Sequence, residues 1–137
     1  MKLTKSTDYA LRVLIYLESN QHIVTMRKLS SQLYIPYDNL TKIIQKLAKS
    51  GIIQTIKGKN GGVKRNSKSK QATLYDVIGI IDGPTRLSPC IADPTVCGLS
   101  CNCRLKHVLG ELEGKINALF SQFTIKDVLP NECTETV

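Results

Sequence analysis

The chain has 137 residues, a net charge of +8, no tryptophan and two phenylalanines. This length allows one hydrophobic core to form without support from disulfides. No secretory signal or membrane-spanning stretch is visible, which predicts a cytoplasmic protein without a membrane partner. The scarcity of aromatic residues disfavours an RNA-binding surface that stacks bases. The sequence shows no nucleophile elbow, phosphate-binding loop or zinc-protease motif, so it does not indicate an enzyme.

The positive charge is concentrated between residues 26 and 70. This segment holds eleven Lys or Arg residues and one acidic residue, Asp38, which gives it a net charge of +10. A concentrated basic block is typical of a surface that binds phosphates. The charge distribution therefore favours a nucleic acid as the partner.

The apolar pattern of the first half predicts helices followed by a hairpin. Apolar residues recur at helical spacing in three stretches, and a β-branched run then leads into a glycine-rich turn. We predict helices over residues 7–19, 25–33 and 37–50 and a hairpin over 52–65. This order is the layout of a winged helix-turn-helix, so the predicted fold is mainly α with a small β-hairpin wing and a long dimerisation helix.

In a helix-turn-helix, the second helix enters the major groove with its N-terminal residues leading. Asn and Gln suit adenine, Lys suits guanine or phosphate, and glycines in a wing let the backbone lie close to DNA. Taken singly, these features also fit a solvated helix face and an ordinary turn, but together they predict binding to double-stranded DNA. The predicted DNA-binding residues are Arg27, Lys28, Tyr37, Asp38, Asn39, Lys42, Gln45, Lys46, Lys57, Lys59, Asn60, Gly61 and Gly62.

The second half begins after a polar loop over residues 66–71, which we expect to be solvated. A capping box at Thr73 and Asp76 predicts a helix that ends near Ile81. Further on, apolar residues recur every three or four positions, as in a heptad seam long enough for a pair of helices. They are Leu105, Leu109, Leu112, Ile116, Leu119 and Phe123. We divide the chain into a DNA-binding domain (1–72), a linking helix with a cysteine-rich cluster-binding loop (73–102), and a dimerisation helix with a C-terminal tail (103–137).

Four of the five cysteines lie in one stretch, the cysteine segment: Cys90, Cys97, Cys101 and Cys103. Thiols crowded in this way indicate a metal, an iron–sulfur cluster or disulfide chemistry rather than packing. Their spacing does not form the two paired units of a structural zinc site. A fourth ligand could be Cys101, His107 or a carboxylate from elsewhere, and the spacing alone leaves zinc, a cluster and a thiol switch open. We interpret Cys133, in the tail, as a bystander.

Four short stretches together point to a known family. They are MKLTKSTDYALR at the start, KGKNGG in the wing, CRLKHVL at the beginning of the long helix and FTIKDVL after it. With these stretches the chain resembles the NsrR-type repressors, nitric-oxide-sensitive members of the winged-helix iron–sulfur regulators and relatives of IscR. The resemblance spans residues 1–130.

The resemblance implies a homodimeric repressor that binds a palindromic operator and carries one [4Fe–4S] cluster per subunit, with [2Fe–2S] as the alternative. It implies that Cys90, Cys97 and Cys103 are cluster ligands, and that the partner subunit's Asp8 completes the site. Nitric oxide would be the signal that releases the DNA. Other interpretations keep the same DNA-binding unit but make the chain a zinc- or thiol-redox-sensing regulator, a regulator of iron–sulfur status, or an architectural DNA-binding protein.

Overall fold

A computed structural model describes residues 2–131, and Cys133 lies outside them. The described residues are mainly helical, with one antiparallel hairpin, as predicted. The helices are α1 (Lys5–Ser19), α2 (Met26–Leu33), α3 (Tyr37–Lys49), α4 (Leu74–Asp82), α5 (Pro89–Ala92) and α6 (Arg104–Gln122), and the strands are β1 (Ile53–Ile56) and β2 (Gly62–Arg65). Single 3-10 turns lie at Ser69–Gln71, Pro94–Val96, Ser100–Asn102 and Ile125–Val128. None of the helices within residues 2–131 is long and apolar enough to cross a membrane.

The helix boundaries follow from side chains that satisfy free backbone groups at the helix ends. Thr4 and Thr25 cap α1 and α2 by accepting hydrogen bonds from backbone N–H groups. The predicted capping box of α4 is confirmed: Thr73 N donates to Asp76 at 2.9 Å, and Asp76 N donates to the Thr73 hydroxyl at 3.1 Å. Gly51 follows α3 with φ of +82°, a conformation that glycine adopts without steric cost.

The core lies mainly between α1, α3 and α4. Their apolar residues recur at helical spacing, which places them on one face of each helix. This core also takes in Val63 of the hairpin and Ile125 of the last 3-10 turn. The buried helical residues include Ala10, Val13, Leu14, Leu17, Leu40, Ile43, Ile44, Leu47, Val77 and Ile81.

The hairpin, residues 53–65, is the predicted wing, and it is fastened to the segment before α2. Val24 and Val63 exchange two backbone hydrogen bonds, each 2.8 Å long. A Cβ atom added at Gly62 would collide with the carbonyl of Val24, and one added at Gly61 would collide with that of Ile56. Gly61 and Gly62 were predicted to let the wing backbone lie close to DNA. In the structure, they let the wing backbone lie close to the carbonyl groups of Ile56 and Val24.

The expectation that residues 66–71 form a solvated loop is wrong at Ser69. The Ser69 side chain is buried, and its hydroxyl donates a hydrogen bond to the buried carboxylate of Glu18. A 3-10 turn over Ser69–Gln71 takes the place of an irregular loop. The polar composition misled the prediction because a buried hydroxyl with a partner looks the same in sequence as a solvated one.

Helix α6 leaves its predicted heptad seam largely uncovered in the single chain. Four seam residues are exposed by 64% (Leu105), 44% (Leu112), 57% (Leu119) and 48% (Phe123). Within α6 the buried residue is instead an acid, Glu113. The apolar face of this helix is therefore available to another helix.

Candidate DNA-binding surface and cysteine segment

Helix α3, the recognition helix, exposes most of its predicted DNA-binding residues. Tyr37 is 50% exposed, and Asp38 and Asn39 beside it at the helix start are also exposed. Lys42 and Gln45 continue this exposed side, opposite the buried residues of the same helix. The amphipathic pattern thus directs polar and basic groups away from the core.

A groove of about 400 Å³ lies between the recognition helix and the wing. Arg27 lines it from α2, Tyr37 and Gln45 line it from α3, and Gly61 and Gly62 line it from the wing. The fold therefore brings together predicted residues from three separate parts of the sequence. Lys57, Lys59 and Asn60 stand exposed at the wing tip, next to Gly58, whose φ is +110°.

Lys46 has a different environment from the rest of the predicted stripe. Its Nζ atom donates a hydrogen bond to the carbonyl oxygen of Ile81, at a distance of 2.8 Å. Ile81 lies in the last turn of α4, where backbone carbonyls lack partners within the helix and attract cations. The ammonium group of Lys46 thus has a partner in α4, although Lys46 is an exposed residue, as is Lys28 at the start of α2.

The end of α4 is also tied to the start of α1. The hydroxyls of Thr4 and Thr7 both donate to one carboxylate oxygen of Asp82, each at 2.6 Å. Gly83 follows with φ of +81° and turns the chain towards the cysteine segment. Sequence reasoning missed this junction, because Thr4 and Asp82 are 78 positions apart in the chain.

The four thiols of the cysteine segment occupy distinct local structures. Cys90 lies in the short helix α5, Cys97 follows one 3-10 turn, Cys101 lies within the next, and Cys103 caps α6. All four are free thiols. Cys97 and Cys101 are exposed, whereas Cys90 and Cys103 are partly buried.

Two of these thiols have polar neighbours. Cys90 Sγ lies 3.1 Å from the hydroxyl of Ser88, and Cys103 Sγ accepts a hydrogen bond from Lys106 N at 3.4 Å. An open cavity of about 1020 Å³ lies beside Cys101 and Cys103 and extends along the first turns of α6 to Glu111. The cysteine segment therefore borders a space large enough for an inorganic group.

The donor set fits an iron–sulfur cluster in its chemistry, because such clusters are held by thiolates and the thiols here are free. Within residues 2–131, however, no three His, Cys, Asp or Glu side chains converge on a common point. A cluster at this segment would therefore need the segment to gather its thiols, with any further ligand coming from outside it.

The two non-cysteine candidates each pair with a charged side chain of their own. Asp8 forms an ion pair with Arg12 at 2.6 Å and is 47% exposed at its side chain. His107 lies 3.3 Å from Glu111 and is 77% exposed at its side chain. Both side chains are accessible, and His107 lies one helical turn after Cys103 and lines the same cavity.

Glu113 holds the chain that leads into the cysteine segment. Its carboxylate accepts hydrogen bonds from Arg86 Nη1 at 2.8 Å and from Leu87 N at 3.0 Å. The Glu113 side chain is only 7% exposed, so these bonds satisfy a charge that would otherwise be costly to bury. Sequence reasoning missed this role of Glu113, since a single acid in a helix usually faces solvent.

Inside the cysteine segment, Asp93 accepts two hydrogen bonds from Thr95. The hydroxyl of Thr95 donates to Asp93 at 2.6 Å and the Thr95 backbone amide donates at 2.9 Å. These two bonds, the hydroxyl first, lower the pKa of Asp93 from its ordinary value of 3.8. The turn before Cys97 is therefore ordered by an ionised carboxylate.

Comparisons with known proteins agree on one family. The family described as "Rrf2: Iron-dependent Transcriptional regulator" matches residues 3–131. The HTH-type transcriptional regulator NsrR of Shouchella clausii is 36% identical over 135 residues, which cover 96% of this chain and 91% of that protein. The structure of CymR, the global cysteine regulator of B. subtilis, superposes with a TM-score of 0.73 at 16% identity and covers 93% of this chain and 95% of that one. T. potens IscR gives a TM-score of 0.72 at 16% identity, over 93% and 85% of the two chains.

Proposed function

This chain belongs to the Rrf2 family of transcriptional regulators, and we propose that it is a repressor whose affinity for DNA is switched by an iron–sulfur cluster at the cysteine segment. Its relatives are transcriptional regulators, not enzymes. The observation that carries the proposal is the end of α4, which contacts the recognition helix through Lys46 and continues through Gly83 to Cys90.

We propose that the DNA-binding form is a cytoplasmic homodimer paired through α6. The exposed seam of α6 supports this, because burying one leucine side chain contributes about 1.5–3 kcal/mol. We propose that a two-fold axis relates the two copies and sets their recognition helices roughly 34 Å apart, one turn of DNA, as binding to a palindromic operator requires. Sedimentation of Leu112→Glu should then show a monomer, and an unchanged dimer would refute this pairing.

The residues proposed to hold the cluster are Cys90, Cys97 and Cys103, with the partner subunit's Asp8 as the remaining ligand. The NsrR relatives and the description of the family as iron-dependent support an iron–sulfur cluster, which we propose to be [4Fe–4S], with [2Fe–2S] as the alternative. When bound, such a cluster supplies iron sites that can react with nitric oxide, the proposed signal. Asp8 is suited to act as a ligand for the other subunit's cluster because its carboxylate is half exposed and its ion-pair partner, Arg12, is also half exposed.

The chain's own contacts offer a route from the cysteine segment to the DNA-binding surface. Glu113 fixes residues 86 and 87 against α6, on one side of the turn at Gly83. On the other side, Asp82 is fixed to α1 and Ile81 is fixed to Lys46 of the recognition helix. A rearrangement of the cysteine segment would therefore displace the end of α4, which is bonded to Lys46 of the recognition helix.

A second candidate function keeps the DNA-binding surface but replaces the cluster with thiol-redox or zinc chemistry. It is favoured by the exposure of two free thiols only four positions apart, Cys97 and Cys101. In this alternative, Cys101 would be required for the response to the signal. In the cluster proposal, Cys101 is dispensable.

Anaerobic purification with iron and sulfide analysis tests the proposal. We expect a coloured, iron-containing protein that binds promoter DNA and loses affinity as nitric oxide is added. Cys90→Ser, Cys97→Ser and Cys103→Ser should each lose the iron, whereas Cys101→Ser should retain it as a matched control. Colourless protein after reconstitution would refute the cluster, and equal DNA affinity with and without nitric oxide would refute the switch.

A further inference from the structure

Glu18 is a buried carboxylate in an unfavourable position. It lies in the last turn of α1, and its side chain is 0% exposed. Burial and the negative end of the helix dipole both disfavour an anion there. The contacts of Glu18 must therefore offset the free-energy cost of burying its negative charge at the end of α1.

Those contacts come from the wing and from the turn that follows it. Arg65 Nη1 donates to one carboxylate oxygen of Glu18 at 3.2 Å. The hydroxyl of Ser69 donates to the other oxygen, and the Ser69 side chain is itself buried. One carboxylate thus joins α1 to the end of β2 and to the 3-10 turn behind it.

This contact holds the wing together with the packing of Ile53 and Val63 in the core. Arg65 is the last residue of β2 and pairs in register with Ile53 of β1. A further attachment is the pair of hydrogen bonds between Val63 and Val24. A two-stranded hairpin is marginally stable by itself, so its direction depends on such attachments.

We infer that Glu18 is a positioning residue that aims the wing at DNA. This inference rests on the proposed DNA-binding function. Lys57, Lys59 and Asn60 are exposed at the wing tip, so the place where they meet DNA is set by how the base of the hairpin is held. Arg65, in contrast, is committed to Glu18 and belongs to the support of the wing.

A double-mutant cycle on DNA binding tests the inference. Binding of a mixed-sequence duplex is measured over a range of salt, because each Lys–phosphate contact contributes about 1 to the slope of log K against log salt. Lys59→Ala should lower this slope by about 1 in the wild-type background and by clearly less in Glu18→Gln. Lys42→Ala, on the recognition helix, should lower it by about 1 in both backgrounds.

The controls separate positioning from general damage. Glu111→Gln makes the same chemical change at a side chain that is 60% exposed, and should leave the effect of Lys59→Ala intact. If Glu18→Gln does not fold, Ser69→Ala carries the same cycle, since it removes one donor and keeps the ion pair with Arg65.

Each remaining outcome counts against the inference. An equal effect of Lys59→Ala in both backgrounds overturns it. A reduced effect of both Lys59→Ala and Lys42→Ala also overturns it, because the whole DNA-binding unit would then be disturbed. Wild-type protein without salt-dependent DNA binding would refute the proposed function along with the inference.

Discussion

Lys46 of the recognition helix donates a hydrogen bond to the carbonyl oxygen of Ile81 at 2.8 Å. This bond joins the helix proposed to enter the major groove to the last turn of α4. The next residue, Asp82, is held by the hydroxyls of Thr4 and Thr7. The element that leads into the cysteine segment is therefore bonded to the recognition helix and to the start of α1.

The first prediction compares two lysines one helical turn apart on the recognition helix. Lys42→Met should lower the salt slope of DNA binding by about 1, as expected for loss of a phosphate contact. Lys46→Met should lower it by clearly less, because the Lys46 ammonium group is engaged by Ile81. Fluorescence anisotropy with labelled duplex at several salt concentrations measures both slopes. Equal slope changes would show that Lys46 contacts DNA directly.

The second prediction concerns the anchor of the cysteine segment. Glu113→Gln should reduce the free energy of unfolding by about 1–3 kcal/mol, because it weakens bonds from Arg86 and from Leu87 N to a buried charge. It should also speed tryptic cleavage after Arg86 in the cluster-free protein. Glu111→Gln, on the same helix but exposed, is the matched control and should change neither quantity. Equal cleavage rates in the two variants would contradict the anchoring role.

Sequence patterns correctly predicted the features that depend on residues only a few positions apart. The heptad spacing predicted α6, and Thr73 with Asp76 predicted the start of α4, because helical period and capping act over a few residues. Glu18 and Glu113 escaped prediction because each meets its partners across the fold. In sequence, each is indistinguishable from a solvated acid.

The cysteine site illustrates a different limit. The composition of residues 90–103 predicted a functional role for the thiols, which stays a prediction, and within residues 2–131 the structure gathers no three metal-binding side chains. The ligand set proposed for the cluster takes Asp8 from a second copy of the chain, so one subunit would not hold the complete proposed site although the sequence contains all of its residues. The resemblance to NsrR-type repressors supplied that part of the prediction.

The third prediction is a gain in stability at the turn before the recognition helix. Tyr34 has φ of +53° and is 86% exposed, so its side chain is in a costly backbone conformation with little burial to offset the cost. Tyr34→Gly should raise the free energy of unfolding by about 0.5–1 kcal/mol, after allowance for the larger chain entropy of glycine. Tyr34→Ala keeps a Cβ atom and should give no gain. Chemical denaturation measures both, and equal stability of the two variants would contradict the role of the backbone.

The last prediction concerns the turn that follows α6. The backbone amide and then the hydroxyl of Thr124 each donate to Asp127 at 2.8 Å, and together they lower the pKa of Asp127 from its ordinary value of 3.8. Since the folded state holds the ionised form more tightly than the unfolded chain does, this group stabilises the fold above the unfolded pKa. The contribution is lost as the pH falls through the lower pKa of the folded state.

Asp127→Asn should therefore be less stable than wild type at neutral pH, and the difference should narrow on acidification. Thermal melting followed from about pH 6 down to about pH 2 covers the relevant window. Thr124→Val removes the hydroxyl donor but keeps the backbone amide, so its stability should fall between those of the other two proteins at neutral pH. A gap between wild type and Asp127→Asn that stays constant over the whole window would show that the Asp127 carboxylate has the same pKa in the folded and unfolded chains.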